Sequence, residues 1–228
     1  FQIKPDDDIA VIEMGTNAFG EIAALAAIAE PNHGIITNIG EAHLEGLGSI
    51  EGVARAKAEL LEGLAPGGTA FLNADDPWTT FLASRHPGRN ITFGRGERAD
   101  FRCVDEQRTD LGHRFRLATG EEVELCVPGR HNVMNALAAL AVCRELGVLD
   151  RAAERLRTFS LPELRFQVER IGPVRVIADC YNANLRSMSA ALDEFDAMQV
   201  PGRRVLVAGD MLEMGAHAEM VHRDLGRR

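Results

Sequence analysis

Short apolar runs and helix-forming stretches alternate along the first hundred residues. Three runs rich in branched apolar residues are typical of buried strands: DIAVIEMG (8–15), HGIITNIG (33–40) and TAFLNADDP (69–77). Between them lie two predicted helices, GEIAALAAIAE (20–30) and a stretch from about Ile50 to Leu64 with Ser49 as its N-cap. This order predicts an α/β fold, a parallel sheet with helices on both faces.

The pattern changes from about Asp100 to Val127. Three alternating segments there predict an antiparallel excursion: FRCV (101–104), HRFRLAT (113–119) and EEVELCV (121–127). A strong helix signal, NVMNALAALAVCREL (132–146), follows. After Leu161-Pro162 the chain resumes strand–helix alternation, with a helix at 189–198 and a strand, RRVLVAGD, at 203–210. We therefore predict one α/β domain over residues 1–160 and the start of another over 161–228.

Composition excludes some classes of function. The 228 residues suffice for one large or two modest domains, and a net charge of -9 argues against binding to nucleic acid or to anionic membranes. The longest apolar run, Ala136–Cys143, is too short to span a bilayer. Four cysteines without C-x-x-C spacing favour a reducing, cytoplasmic location. Because the chain begins at Phe1 rather than Met, we expect a fragment.

The use of lysine is unusual in this chain. Of 25 basic residues only two are lysines, Lys4 and Lys57, and Lys57 lies within a predicted alanine-rich helix. Arginine stays protonated, whereas a buried lysine can lose its proton and take up CO₂ as a carbamate. The alternative is a solvated lysine paired with a carboxylate one helical turn away. The positions three and four residues from Lys57 are all apolar, which weakens that alternative without excluding it.

Polar side chains fall at or just after predicted strand ends, where ligands gather in open parallel sheets. Glu13 closes the first strand, and His43 follows the second in a glycine-flanked loop. Together they could bind one Mg²⁺ ion, for which a carboxylate is a natural ligand and a histidine a less usual one. The alternatives are a glutamate that caps the next element and an ordinary surface histidine.

Asn132 and Asn135 lie three residues apart at a helix start, and therefore on one face. Paired amides donate and accept hydrogen bonds together, which suits an adenine edge. The alternative, slightly favoured by spacing alone, is that Asn132 is only an N-cap and Asn135 is solvated.

Three further candidates follow the predicted domain boundary. Arg165 could bind a phosphate bidentately between two domains, although a surface arginine is commoner. Asp179, at the end of the strand VRVIAD, could bind ribose hydroxyls as acidic strand ends do in dinucleotide folds. Asn184 belongs to the polar loop CYNAN, for which a simple turn is the alternative.

Seven segments, taken in order, resemble the motifs of the Mur ligase family, the ATP-dependent amide-forming enzymes of peptidoglycan precursor synthesis. They are VIEMGTNAFGEI, TNIGEAHLEGLGSIEGVARAKAEL, LNADDP, PGRHNVMNALAA, LRFQ, DCYNAN and GDMLEMG. Two departures stand out. Leu185 replaces a proline that is usual in the family loop, and the sequence contains no G-x-x-x-x-G-K-[ST] loop to cradle phosphates.

The resemblance implies a three-domain protein. An N-terminal domain binds the UDP-sugar, a central P-loop-type domain binds ATP, and a Rossmann-like C-terminal domain receives the amino component. This chain would hold the central domain without its P-loop and the start of the C-terminal domain. DCYNAN and GDMLEMG look like the member that joins D-alanyl-D-alanine to UDP-N-acetylmuramoyl-tripeptide. We expect ATP and Mg²⁺ as cofactors, a monomer, and an isolated chain that is inactive.

The resemblance also implies roles for the candidate residues. A magnesium site would be formed by Glu13, His43 and carbamylated Lys57. The nucleotide would be contacted by the other five, Asn132 and Asn135 at the adenine and Arg165, Asp179 and Asn184 near the domain junction.

Two alternative functions stay open. One is a sister ligase that adds a single amino acid such as diaminopimelate, lysine or glutamate, against which DCYNAN argues. The other is an inactive fragment that only binds a nucleotide or a partner, which the missing P-loop favours.

Overall fold

Six strands form the main sheet of the computed structural model, which describes residues 3–198, 200 and 202–228. The strands lie side by side in chain order: β1 (His33–Ile36), β2 (Thr69–Asn73), β3 (Arg89–Gly94), β4 (Phe101–Arg108), β5 (His113–Leu117) and β6 (Glu122–Leu125). A separate hairpin consists of β7 (Gln167–Ile171) and β8 (Val174–Ala178).

The main sheet is mostly parallel. Strands β1 to β4 run parallel, with Phe71 of β2 opposite Ile35 on one side and Ile91 on the other. Strands β4 to β6 are antiparallel, and the register of β4 against β5 shifts between Cys103 and Asp105. Both the parallel sheet and the antiparallel excursion are confirmed.

The helices connect and cover these strands. They are α1 (Glu21–Ala29), α2 (Leu44–Leu47), α3 (Ile50–Glu62), α4 (Thr79–Ser84), α5 (Arg130–Glu145), α6 (Leu149–Leu156), α7 (Leu185–Ala197) and α8 (Ala218–Gly226), with a 3₁₀ turn at Gly215–His217. Helix α3 begins as predicted, because the Ser49 hydroxyl accepts a hydrogen bond from the Gly52 amide at 3.1 Å. Among the described residues, every helix is too short or too polar to cross a membrane.

Strand β2 lies at the centre of the core, and all of its side chains are buried. Because neighbouring side chains of a strand point to opposite faces, Ala70 and Leu72 join one apolar cluster and Phe71 joins another. The first cluster contains residues of α3 and α4, and the second contains residues of α5. The predicted helices on both faces of the sheet are therefore confirmed.

Two predicted strands were wrong. DIAVIEMG and RRVLVAGD have extended or irregular backbone, and Val11 and Val207 are each 91% exposed. A strand needs a neighbour to complete its backbone hydrogen bonds, and among the described residues neither segment has one. Their apolar composition is typical of a buried strand, but composition carries no information on the neighbouring strand that burial requires.

The end of the chain returns to the main core. Met211, Met214 and Val221 are buried in the same cluster as α2 and α3. The strands in the described part of 161–228 form the antiparallel hairpin β7–β8, so the parallel sheet of a Rossmann-like domain stays a prediction. Because their apolar side chains join the cluster formed by α2 and α3, helices α7 and α8 pack against the first hundred residues.

Gly52 provides a test of the α2–α3 junction. A Cβ at this position would lie 1.9 Å from the Leu47 carbonyl oxygen. Gly52→Ala should therefore lower the free energy of unfolding by about 1–3 kcal/mol, because backbone must move. The control is Gly226→Ala in α8, where no atom lies within 4 Å of the new Cβ and a gain of up to about 1 kcal/mol is expected. Urea unfolding measures the change in unfolding free energy of both variants relative to the original protein, and equal changes would contradict the prediction.

Candidate functional site

A cleft of about 1130 Å³ lies beyond the carboxyl ends of the parallel strands. Thr37 and Asn38 after β1, Asn73 at the end of β2 and Arg95 after β3 line its floor. Ligands commonly bind at this edge of an open α/β sheet. The structure brings six of the eight predicted site residues into the lining of this cleft: Lys57, Asn132, Asn135, Arg165, Asp179 and Asn184.

Lys57 is largely withdrawn from solvent on α3. Its ammonium nitrogen donates a hydrogen bond to the Asn38 carbonyl oxygen at 2.9 Å. Burial lowers the pKa of Lys57 below its ordinary value; the Asp76 carboxylate offsets part of this effect, and the positive charge of Arg186 adds to it. The neutral amine is therefore more accessible than in a solvated lysine, and the surface interpretation of Lys57 was wrong.

Helix α7 forms one wall of the cleft and is attached to the main sheet near both of its ends. In its first turn, Arg186 donates to the Ile39 carbonyl oxygen at 3.0 Å and lies 3.8 Å from the buried Asp76 carboxylate. Near its last turn, the buried Glu194 accepts a hydrogen bond from Arg108 of β4. Sequence reasoning missed these residues, because their partners are distant along the chain.

Asn132 and Asn135 share one face at the start of α5, as their spacing predicted. Asn132 is buried, and its side-chain nitrogen Nδ2 donates to the Pro128 carbonyl oxygen at 2.7 Å. Asn135 donates to the side-chain oxygen of Asn132 at 3.2 Å. Gly129 rather than Asn132 is the N-cap, so the capping alternative for Asn132 was wrong. Asn132 orients the Asn135 side chain, which is exposed, as the alternative expected, and whose side-chain oxygen accepts no hydrogen bond within the described residues.

The segment after the predicted boundary contributes an arginine stacked on an aromatic ring. The guanidinium carbon of Arg165 lies 4.1 Å from the centroid of the Tyr181 ring. Asp179 accepts a hydrogen bond from the Phe166 amide at 3.2 Å, which ties this segment to the end of β8. Phe166 has a φ of 46° and Leu164 a φ of 61°, which non-glycine residues rarely adopt.

Asn184 is the N-cap of α7. Its side-chain oxygen accepts from the Ser187 amide at 2.9 Å, and the Ser187 hydroxyl accepts from the Asn184 amide at 3.1 Å. This reciprocal capping box fixes the start of α7 without the family's proline at position 185. Asn184 thus has a structural role at the rim of the cleft, in agreement with the turn alternative.

Glu13 and His43 do not line the cleft with Lys57. His43 has a φ of 55° and shares a hydrogen bond with Glu213, and both side chains are partly exposed. Glu13 is exposed, and its carboxylate makes no hydrogen bond or ion pair within the described part of the chain. In that same part, no group of three His, Cys, Asp or Glu side chains is arranged to hold a metal ion. The magnesium assignment stays a prediction.

The lining of the cleft also contains a partly buried charged cluster that the sequence reasoning did not select. Arg95 donates to Glu106 through Nε at 2.8 Å and Nη2 at 2.7 Å. Beside this pair lies His113 of β5, which is buried and whose Nδ1 atom is 3.2 Å from Glu106. The available signal was the alternation in HRFRL, where His113 shares the inward face with two apolar side chains.

The sequence matches two domain models of one family. The Mur ligase middle domain matches residues 2–143, and the Mur ligase, glutamate ligase domain, matches residues 164–228. The mostly parallel sheet and the cleft at its carboxyl edge agree with that match. The chain therefore belongs to the Mur ligase family.

Individual members of the family show which of its ligases this chain is similar to. UDP-N-acetylmuramoyl-tripeptide–D-alanyl-D-alanine ligase of Escherichia coli (strain K12) is 38% identical over 99% of this chain and 51% of its own length, and that of Bacillus subtilis (strain 168) is 36% identical over 96% and 48%. A crystal structure of MurF from Acinetobacter baumannii has a TM-score of 0.87 at 33% identity, over 93% of this chain and 47% of that one. The MurF ligase of Thermotoga maritima in complex with ADP has a TM-score of 0.83 at 25% identity, over 94% and 50%. The chain spans about half the length of these relatives.

The buried state of His113 predicts a pH dependence of stability. Burial lowers its pKa, although Glu106 and Glu194 oppose this and Arg108 and Arg95 reinforce it. The unfolded chain then binds more protons between the lowered pKa and the usual value of about 6.5, so stability rises with pH across that window. As the pH falls below about 6.5, the unfolding free energy of the original protein should therefore decrease more than that of His113→Leu, which has no imidazole to protonate at this position.

Urea unfolding of both proteins at several pH values checks this prediction, because other titrating groups cancel in the difference between them. His33→Leu, the same chemical change at an exposed position at the start of β1, is the matched control. The unfolding free energy of His113→Leu minus that of the original protein should increase on acidification. If this difference stays constant or decreases, His113 does not cause the pH dependence.

Proposed function

We propose that this chain forms the nucleotide-handling part of an ATP-dependent ligase that joins D-alanyl-D-alanine to UDP-N-acetylmuramoyl-tripeptide in peptidoglycan precursor synthesis. The observation that carries the proposal is the cleft, which gathers six of the predicted site residues at one sheet edge. The names of the Escherichia coli and Bacillus subtilis relatives state this reaction, and the Thermotoga maritima relative was solved with ADP. A cytoplasmic location and a monomer belong to the same proposal.

The proposed reaction has two steps. The terminal carboxylate of the tripeptide attacks the γ-phosphorus of ATP, which forms an acyl phosphate and releases ADP. The amine of D-alanyl-D-alanine then attacks the acyl carbon, and the tetrahedral intermediate collapses with loss of phosphate and of the amine proton. Such phosphoryl transfer depends on positioning and on neutralised charge more than on covalent chemistry by the protein.

The cleft residues suit the nucleotide in this reaction. Asn135, oriented by Asn132, offers amide groups to the adenine edge. Arg165 offers a guanidinium to phosphate oxygens, held in place by its stacking on Tyr181. Asp179 offers a carboxylate to ribose hydroxyls. Arg165 and Asp179 come from the segment after residue 160. We therefore propose that residues 1–160 and 161–228 form two domains and that both contribute to this cleft.

Lys57 supports the proposal through its neutral amine. A carbamate forms when an unprotonated amine attacks CO₂ and loses a proton, which leaves a carboxylate-like anion on the side chain. The lowered pKa of Lys57 increases the fraction of this amine at a given pH. Arginine cannot react in this way because it stays protonated. We propose that Lys57 is carbamylated in the active protein.

Mg²⁺ belongs to the proposal as the usual companion of ATP, with Glu13, His43 and carbamylated Lys57 as its predicted ligands. As they stand, these side chains do not fit one ion as a set, since His43 is bonded to Glu213 and Glu13 is exposed outside the cleft lining. We therefore assign no step of the reaction to the metal.

ADP release tests the proposed reaction directly. Protein expressed from the whole open reading frame that encodes this chain is mixed with ATP, Mg²⁺ and UDP-N-acetylmuramoyl-tripeptide, and D-alanyl-D-alanine is compared with single amino acids. Release that depends on D-alanyl-D-alanine is expected. Release with diaminopimelate, lysine or glutamate instead would indicate a sister ligase, and no release would favour a protein that only binds.

Substitution of Lys57 tests the carbamate. Lys57→Arg should abolish ADP release, because arginine keeps the charge and cannot form a carbamate, whereas Lys57→Ala should recover part of the activity with an added short-chain carboxylate. The matched control is Lys4→Arg, the same change at the other, exposed lysine, which should leave the rate unchanged. Full activity of Lys57→Arg would rule out the carbamate.

A further inference from the structure

His113 has hydrogen-bonding capacity that no other described residue uses. Its side chain is only 6% exposed and lines the cleft. Within the described part of the chain, neither ring nitrogen has a hydrogen-bond partner, since the 3.2 Å approach of Nδ1 to Glu106 lacks hydrogen-bond geometry. Buried polar groups are nearly always hydrogen-bonded, because an unpaired group loses its water without compensation. The imidazole is therefore expected to serve a bound molecule.

The charged neighbours of His113 are already engaged with arginines. Glu106 accepts two hydrogen bonds from Arg95, and Glu194 accepts one from Arg108. Burial favours the neutral imidazole, whose pKa is lowered. A neutral imidazole has one donor and one acceptor. A group that itself offers one donor and one acceptor would use both ring nitrogens at once, and within the described residues no set of three His, Cys, Asp or Glu side chains stands ready to share a metal ion with this imidazole.

The position of His113 in the cleft indicates which part of a nucleotide it would meet. It lines the same cleft as Asn132 and Asn135, the pair proposed to bind adenine. A chain of contacts also links it to the start of α5: His113 lies 3.2 Å from Glu106, Glu106 accepts from Arg95, and Arg95 donates to the carbonyl oxygen of Arg130, the first residue of α5, at 3.1 Å. His113 therefore belongs to the nucleoside end of the cleft.

We propose that His113 binds the nucleoside half of ATP, where it donates one hydrogen bond and accepts another and so contributes to nucleotide selectivity. Two groups of ATP have this chemistry: the adenine edge, with its N1 acceptor and amino donor, and the ribose hydroxyls. The inference rests on the proposed function, and it adds a residue outside the segments that resemble the family. A purely structural role would be served better by an apolar side chain, since Phe115 and Leu117 fill the same face of β5.

Nucleotide binding by substituted proteins tests the proposal. The full open-reading-frame product and its His113→Leu and His113→Gln variants are titrated with ATP in a calorimeter. His113→Leu keeps the burial and removes both hydrogen bonds, so the Kd for ATP should rise about 3- to 10-fold. His113→Gln, whose amide again donates and accepts, should recover most of the affinity. Urea unfolding should show His113→Leu to be at least as stable as the original protein, because an unpaired polar group has been removed.

Three ATP analogues identify the contacted group: 2′-deoxy-ATP, 3′-deoxy-ATP and purine riboside triphosphate, which lacks the adenine amino group. The original protein should bind at least one of them about 3- to 10-fold more weakly than ATP. In His113→Leu the difference between ATP and the analogue that lacks the group bound by His113 should become smaller. Loss with a deoxy analogue assigns His113 to the ribose, and loss with the purine analogue assigns it to the base.

The outcomes separate this inference from the proposed function. If the original protein binds ATP and His113→Leu binds it equally well, with the same preferences among analogues, the role of His113 is wrong and the proposed function stands. If the original protein does not bind ATP, both fail. Should His113→Leu not fold, His113→Met, another apolar side chain without a hydrogen-bond donor, takes its place in the same comparison, and analogue preferences equal to those of the original protein overturn the proposal.

Discussion

Strand β2 must be covered on both of its faces, because all of its side chains are buried. Helices α3 and α4 cover one face and α5 the other, so only the ends of the sheet remain open to a ligand. The same two layers bring Lys57 of α3 and Asn132 of α5 to the carboxyl edge. The burial of one central strand thus fixes the position of the cleft, and the chemistry of the cleft follows from the few polar side chains that these helices can place there.

The buried carboxylates Glu194 and Asp76 are each paired with an arginine from a distant part of the chain, Arg108 and Arg186 respectively. Arg108 and Glu194 join the antiparallel part of the sheet to α7, and Arg186 reaches the loop after β1. A buried charge without a partner is costly, so each pair constrains the elements that carry it. The wall formed by α7 is therefore held by polar contacts as well as by apolar packing. Such contacts can be exchanged for contacts with a ligand, which dry apolar packing cannot offer.

Local signals in the sequence predicted local structure well. The Ser49 cap, the helix containing Asn132 and Asn135 and the antiparallel excursion are each encoded by neighbouring residues, and the motifs that resemble the family led to most of the cleft lining. Contacts between remote residues could not be predicted. Glu213 as the partner of His43 and the missing neighbours of the two unpaired apolar segments depend on how the whole chain packs. The isolation of His113 likewise depends on the orientation of Glu106, which no sequence pattern encodes.

The scarcity of lysine combines with the burial of Lys57 to give the protein a natural spectroscopic label. Only Lys4 shares its chemistry, and Lys4 is exposed. A solvated lysine is almost entirely protonated at neutral pH, which disfavours its reaction with CO₂. After exposure of the chain to isotopically labelled bicarbonate, a carbamate signal from a lysine would therefore arise from one known position. The state of that wall of the cleft could then be followed in solution without any introduced probe.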